Sequence, residues 1–221
     1  MRGRVAVEVL PGVVRVWVGV VAGVAALVVA VVGVMYAGHS ESGRVDRWFV
    51  LPTEDSVGPP WRRVALATDF WGEPAGAAIL VGVGVVGCLL LLRWPRAAVF
   101  LVAGAGVSVV TATVVKSLVG RTIHGPGNLS YPSGHTAFAT ALALVVALLV
   151  TGRLGLGRAA GTLLVLGAGL VGGAVMGWAQ VSLSAHYPTD VLGGWCTALA
   201  VVPATAWLVD RAADAARRTP G

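Results

Sequence analysis

Pro132-Ser133-Gly134-His135 stands where a polar loop gives way to a long apolar run, Thr136-Ala137-Phe138 and onward to Val150. Fifty-one positions after His135, the stretch His186-Tyr187-Pro188-Thr189-Asp190 opens another apolar run in the same way. Counting outward from these two, six segments are long and apolar enough to cross a bilayer, which takes about 20 residues. They lie near 16–36, 75–92, 97–115, 135–151, 160–178 and 190–209. The first is much longer than the roughly 7–15 apolar residues of a signal peptide, so it reads as a retained anchor. The expected fold class is all-α: a polytopic membrane protein, a six-transmembrane-helix bundle, with residues 1–221 forming one integral membrane domain.

Composition agrees. Hydrophobic residues make up 57% of the chain and charged residues only 12%, with a mean hydropathy of +0.84. A soluble domain carries about 25% charge. The net charge of +6 raises nucleic-acid binding as a class, but the arginines flank apolar segments and form no basic stripe, so no nucleic acid is expected. Cys88 and Cys196 fall inside apolar runs without metal-like spacing and read as core residues, with no disulfide. Gly169, Gly173 and Gly177 recur every four residues in the fifth segment, a stripe suited to close helix packing.

Arginine placement orients the bundle. Arg2, Arg4, Arg15, Arg93, Arg96, Arg153, Arg158, Arg211, Arg217 and Arg218 all fall on one side if the chain crosses six times. The positive-inside rule makes that side, with both termini, cytoplasmic. The opposite side keeps Arg44, Arg47, Arg62, Arg63 and Arg121, and it carries the 37–74 loop, the 116–134 loop and the 179–189 turn. Both motifs would then sit at the extracytoplasmic face of the cell membrane. The 37–74 loop mixes Asp46, Glu54, Asp55, Arg62 and Arg63 with Trp48, Phe49, Trp61, Phe70 and Trp71. Such aromatics favour the headgroup zone, so the loop is either an interfacial helix beside a lipid substrate or a solvated connector with aromatic anchors.

Polar groups this sparse invite a chemical reading. Lys116, the only lysine, ends the third segment. It either snorkels to the interface or, with Arg121 beside Gly125-Pro126-Gly127, forms an anion cradle. Ser133-Gly134-His135 opens a helix, whose first-turn N–H groups and partial positive charge suit a phosphate. Ser133 is in one reading an N-cap and in the other a phosphate donor. An adjacent phosphate would raise the proton affinity of His135 and fit it as a general acid. His186 and Asp190, four apart at a helix start, allow the carboxylate to hold one imidazole nitrogen and leave the other as a nucleophile toward phosphorus. Three histidines and an aspartate also raise zinc, but no HExxH-type or paired Cys/His spacing supports it, and no metal or cofactor is expected.

On these residues the chain resembles the type 2 phosphatidic acid phosphatase superfamily. That family's pattern is a lysine, six residues, then Arg-Pro; next Pro-Ser-Gly-His; then Ser-Arg, five residues, His, three residues, Asp. Lys116, Pro132 to His135, His186 and Asp190 match it, over roughly residues 97–209. The resemblance implies a nucleophile at His186, an orienting carboxylate at Asp190 and a leaving-group acid at His135. Two of its motifs depart from the pattern. Ile123 and His124 stand where the family has Arg-Pro, and Ala179-Gln180 replaces Ser-Arg. Arg121 and Gln180 are then expected to join Lys116, Ser133 and Gly134 on the phosphate. The implied activity is metal-independent hydrolysis of a terminal phosphate from a lipid phosphate or polyprenyl diphosphate in the bilayer, through a phosphohistidine. The outward-facing site favours polyprenyl diphosphate, as in recycling of a cell-wall lipid carrier, over phosphatidate or phosphatidylglycerol phosphate. A lipid phosphotransferase and a non-catalytic lipid-phosphate-binding relative are the alternatives. Oligomeric state is not readable.

Overall fold

The computed structural model describes residues 8–49 and 57–218; Arg2, Arg4, Glu54 and Asp55 lie outside them. The chain forms α1 (Arg15–Met35), α2 (Pro59–Phe70), α3 (Pro74–Val86, continued by a π-helical turn Gly87–Leu91), α4 (Pro95–Val119), α5 (Gly134–Leu154), α6 (Arg158–Ser182) and α7 (Pro188–Arg218). A further helical turn spans 44–49. Among the described residues, the only β pairing is an isolated antiparallel bridge between Thr122 and Leu129. Proline starts α2, α3, α4 and α7, where its missing N–H is no loss and its fixed φ suits the first turn.

Six of these helices, all but α2, are long and apolar enough to cross a membrane. In their most apolar 18-residue windows only 17% of α1 and 11% of α3 is buried, against 56% of α5. A helix apolar all round and this little covered by protein has lipid for its surroundings. α5 is therefore the central helix, packed on α4, α6 and α7, while α7 also touches α1. The shared core comprises Phe100, Leu101, Leu144, Leu148, Val165 and Val202. The glycine stripe of α6 lies where neighbours approach closely: a Cβ would meet Leu144 at Gly169, the Trp195 ring at Gly173 and Val191 at Gly177. Cys88 and Cys196 are buried and unpaired.

α7 runs nine residues past the apolar stretch read from the sequence. Asp210 in this extension accepts hydrogen bonds from the Val9 and Leu10 amides at 3.1 and 2.9 Å and from Arg96 at 3.0 Å. That ties the N-terminal segment and α4 to the end of the bundle opposite the motifs. At the motif end, the 37–74 loop contributes α2, which lies against α6, with Trp61 edge-on to Trp178.

Candidate active site

α4 ends at Gly120, whose φ of 65° provides a left-handed cap with its amide on the Lys116 carbonyl at 2.9 Å. This cap is what glycine permits without a Cβ penalty, and it turns Arg121 away from the helix axis into the protein. The loop then closes on itself, with the Ser130 amide on the Arg121 carbonyl at 2.8 Å and the Ile123 amide on the Asn128 carbonyl at 3.0 Å. Leu129 is thereby brought over Lys116, whose Nζ donates to its carbonyl at 3.1 Å.

Ser133 caps α5, its hydroxyl oxygen accepting the Thr136 amide at 3.3 Å and the Thr136 hydroxyl at 3.1 Å. Its own amide donates to the Asp190 carbonyl at 2.9 Å, which fastens the α5 start to the first turn of α7. Close approach requires small residues here: a Cβ on Gly194 would lie 2.3 Å from the Ser133 carbonyl oxygen. Beyond Gly134 there is open space, with no atom within 4 Å of where its Cβ would be. With the Thr136 amide taken by Ser133, the Gly134 and His135 amides are the first-turn donors left for a ligand.

His186 is buried and its Nδ1 lies 3.7 Å from Asp190 Oδ2, too far for a hydrogen bond, with no other partner for that nitrogen. Burial pushes its pKa below the usual histidine value; Asp190 pulls against this, and the charges of Lys116 and His135 act in the same direction as burial. A neutral imidazole results, with Nδ1 aimed at a carboxylate and Nε2 on the far side of the ring. Asp190 is itself held: Oδ2 accepts the Tyr187 amide at 3.0 Å and Oδ1 accepts Arg121 at 2.7 Å. His124 closes the edge of the site, its Nε2 at 2.6 Å from the Ser184 carbonyl.

Of the expected phosphate ligands, Lys116 and Ser133 keep donors beyond the bonds just given, whereas Arg121 and Gln180 are engaged with carboxylates. Arg121 is 0% exposed. Its Nη2 donates to Asp46 at 2.6 Å, and its Nη1 to Asp190 at 2.7 Å and Thr189 at 2.6 Å. The guanidinium lies between the rings of Tyr36 and Tyr187, 4.1 and 4.4 Å from their centroids. Two carboxylates, a hydroxyl and two aromatic faces occupy both amino groups and both faces of this cation, and its Nε is buried without a partner, so Arg121 belongs to the scaffold under Asp190. Gln180, buried in α6, donates its amide to Asp69 Oδ1 at 2.5 Å. It fixes an acidic side chain of the α2 end beside the site in place of presenting a donor to phosphate.

Sequence reasoning reaches Asp46 only as one of the charges of the 37–74 loop and does not reach Asp69. Asp46 is 0% exposed; it takes the Thr189 amide and hydroxyl on Oδ1 at 3.0 and 2.7 Å, and the Gly43 amide on Oδ2 at 2.9 Å. A carboxylate from another segment thus caps α7, where anions are favoured by the helix dipole. Asp69 Oδ1 and Glu73 Oε1 lie 3.5 and 3.8 Å from His135 Nε2, and a Cβ at position 72, where the chain has glycine, would strike the same ring. Asp69, Glu73 and His135 keep their ligand atoms within 4.8 Å of one another, a spacing at which a metal ion could be held. The His135 side chain remains 26% exposed, while its Nε2 is buried beside these carboxylates without a hydrogen-bond partner.

From this turn an apolar groove of about 480 Å³ descends between α5 and α6, lined by Trp71, Leu80, Phe138, Leu142, Val171 and Met176. Phe138 lies one turn below His135, and Met176 one turn below Gln180, so the groove's lining comes within a helical turn of these two residues.

No curated protein matches the sequence. The fold is similar to that of the transmembrane PAP2 type phosphatidylglycerolphosphate phosphatase from Bacillus subtilis, with a TM-score of 0.68 and 18% identity, covering 90% of this chain and 98% of that one. With a match over residues 52–214, which include Lys116, the Pro132 to His135 turn and the His186 to Asp190 stretch, the chain belongs to the PAP2 superfamily.

Proposed function

We propose that this protein is a membrane lipid phosphatase that removes a terminal phosphate through a phosphohistidine at His186. The observation that carries the reading is the meeting of His186, Asp190, His135, Lys116 and the open α5 N-terminus at one end of an apolar bundle, at the mouth of the groove below Phe138. A site for a soluble phosphate ester has no use for such a groove. A hydrocarbon chain lying in it would deliver its headgroup to the histidines.

In the proposed reaction the phosphate is received by Lys116, the Gly134 end of α5 and the Ser133 hydroxyl. The Nε2 lone pair of His186 forms the P–N bond while the P–O bond to the leaving group breaks. Asp190 receives the charge that develops on the ring, its 3.7 Å separation tightening as the substrate settles. His135 gives its proton to the departing oxygen. Water then attacks phosphorus, His135 takes up a proton, the P–N bond breaks and inorganic phosphate leaves with His186 restored. No step passes through a metal. With both termini cytoplasmic, the site faces outward, which favours polyprenyl diphosphate; the name of the Bacillus relative argues for a phosphatidylglycerol phosphate. One specific observation favours a second reading, a binding protein without turnover: neither Arg121 nor Gln180 presents a donor to the pocket.

The test is phosphate release by the detergent-purified protein from polyprenyl diphosphate, phosphatidate and phosphatidylglycerol phosphate, with and without EDTA, beside His186→Ala and His135→Ala. EDTA-resistant release that both variants abolish is the expected result. Loss with EDTA would assign Asp69, Glu73 and His135 to a metal, and lipid binding without release would establish the second reading.

A further inference from the structure

We infer that Asp46, in the segment between α1 and α2, is a positioning residue for the reaction: through Arg121 it leaves the Asp46–Arg121–Asp190 group with one net negative charge beside His186. The inference rests on the phosphatase reading above. Its starting point is a mismatch of charge. Arg121 alone on Asp190 would form a neutral pair, and a neutral pair offers little to a histidine that must become positive as it bonds phosphorus. The structure supplies a second carboxylate, Asp46, on the other amino group of the same guanidinium, at 2.6 Å against 2.7 Å for Asp190. All three side chains are fully buried, so solvent screens little of the imbalance.

A buried group with an excess negative charge is costly unless a cation matches it. The charged groups acting on His186 are Asp190 on α7, Lys116 on α4 and His135 on α5. Lys116, which also interacts with Asp190, carries its charge throughout, whereas His186 is the group that gains positive charge during the proposed attack. The excess charge therefore favours the transition state more than the ground state, which is the condition for an electrostatic contribution to rate. Geometry supports the same role. Asp46 Oδ1 holds the Thr189 amide and hydroxyl, and Thr189 Oγ1 accepts from Arg121. Asp46 thus fixes both the first turn that carries Asp190 and the guanidinium that orients its Oδ1. Tyr36 and Tyr187 clamp that guanidinium from its two faces.

The experiment is the acid limb of kcat/KM against pH for the wild type, Asp46→Asn, Asp46→Glu, Arg121→Gln and the double variant Asp46→Asn/Arg121→Gln, with His186→Ala as reference. The net charge of the group is −1 in the wild type, 0 in Asp46→Asn, −2 in Arg121→Gln and −1 again in the double variant. The limb is expected to fall by about 0.5–1 pH unit in Asp46→Asn, to rise in Arg121→Gln, and to return toward wild type in the double variant and in Asp46→Glu. Asp46→Asn should also lose about tenfold in kcat with KM little changed. A limb that ignores this order, with turnover still lost in His186→Ala, overturns the role of Asp46 and leaves the phosphatase reading standing. Turnover that survives His186→Ala overturns that reading itself. If Asp46→Asn does not fold, Arg121→Gln against the double variant decides by the same order.

Discussion

Replacing Gly194 by alanine is expected to disable turnover without touching a group that performs chemistry. An ideal Cβ at Gly194 falls 2.3 Å from the Ser133 carbonyl oxygen, and 3.2 Å from both the Ser133 carbonyl carbon and the Ala137 nitrogen. These are backbone atoms of the first turn of α5, so no change of rotamer relieves the contact. A carbon–oxygen approach is comfortable at about 3.3 Å, so α5 and α7 must separate by about 1 Å. Overpacking of this kind costs about 1–3 kcal/mol. The Ser133 amide, now 2.9 Å from the Asp190 carbonyl, would lose its partner at about 1 kcal/mol more. Stability should therefore drop by about 2–4 kcal/mol. The rate should drop further, because the same 1 Å separates His135 from His186, and such a displacement in a preorganised site costs about 10²-fold. The assay is kcat for phosphate release beside the thermal unfolding midpoint in detergent. Gly167→Ala, with nothing within 4 Å of its Cβ, serves as control and should be neutral or slightly stabilising. Wild-type kcat and midpoint in Gly194→Ala would refute the claim that this helix contact aligns the site.

Three further outcomes are expected. Burial first, and then Lys116 and His135, outweigh Asp190 in setting the proton affinity of His186 below the ordinary histidine value. His186, as the proposed nucleophile, must be deprotonated, so the acid limb of kcat/KM should lie below about pH 6.5; a limb at or above that value would contradict a buried neutral His186. Gln180→Arg brings a cation next to Asp69, which already accepts from position 180 at 2.5 Å. Much of the new charge is then shared, and KM should fall only about fivefold, or about 1 kcal/mol, with a larger fall when Asp69→Asn is added. Asp210→Ala strips the partner from two backbone amides and Arg96, so the unfolding midpoint should drop by the equivalent of about 2–4 kcal/mol. Its kcat should hold, because Asp210 lies at the end of the bundle away from the site.

What could be read from the sequence followed from local rules. A helix that crosses a membrane must be apolar over its own length, so the six spans show in consecutive residues, and their ends differ from expectation mainly where α7 continues as a polar extension through Asp210 and Asp214. The Pro132 to His135 and His186 to Asp190 stretches are likewise short and unusual for their surroundings. The role of Arg121 had no such local sign. Beside a glycine-rich loop a guanidinium suits an anion, and only the left-handed Gly120 cap, which turns the chain inward, gives it carboxylates for partners. Those partners lie 75 residues before it and 69 after it. Asp46 falls in the sequence between Arg44 and Arg47, where a solvated charge would look the same. Gln180 poses the same problem, since its partner Asp69 is 111 residues away. A missing charge at position 180 reads as a weakened phosphate site until that aspartate is seen holding the amide. Sequence spacing thus shows which residues are unusual for their segment, whereas the task of a buried charge is set by the opposite charge that folding brings to it.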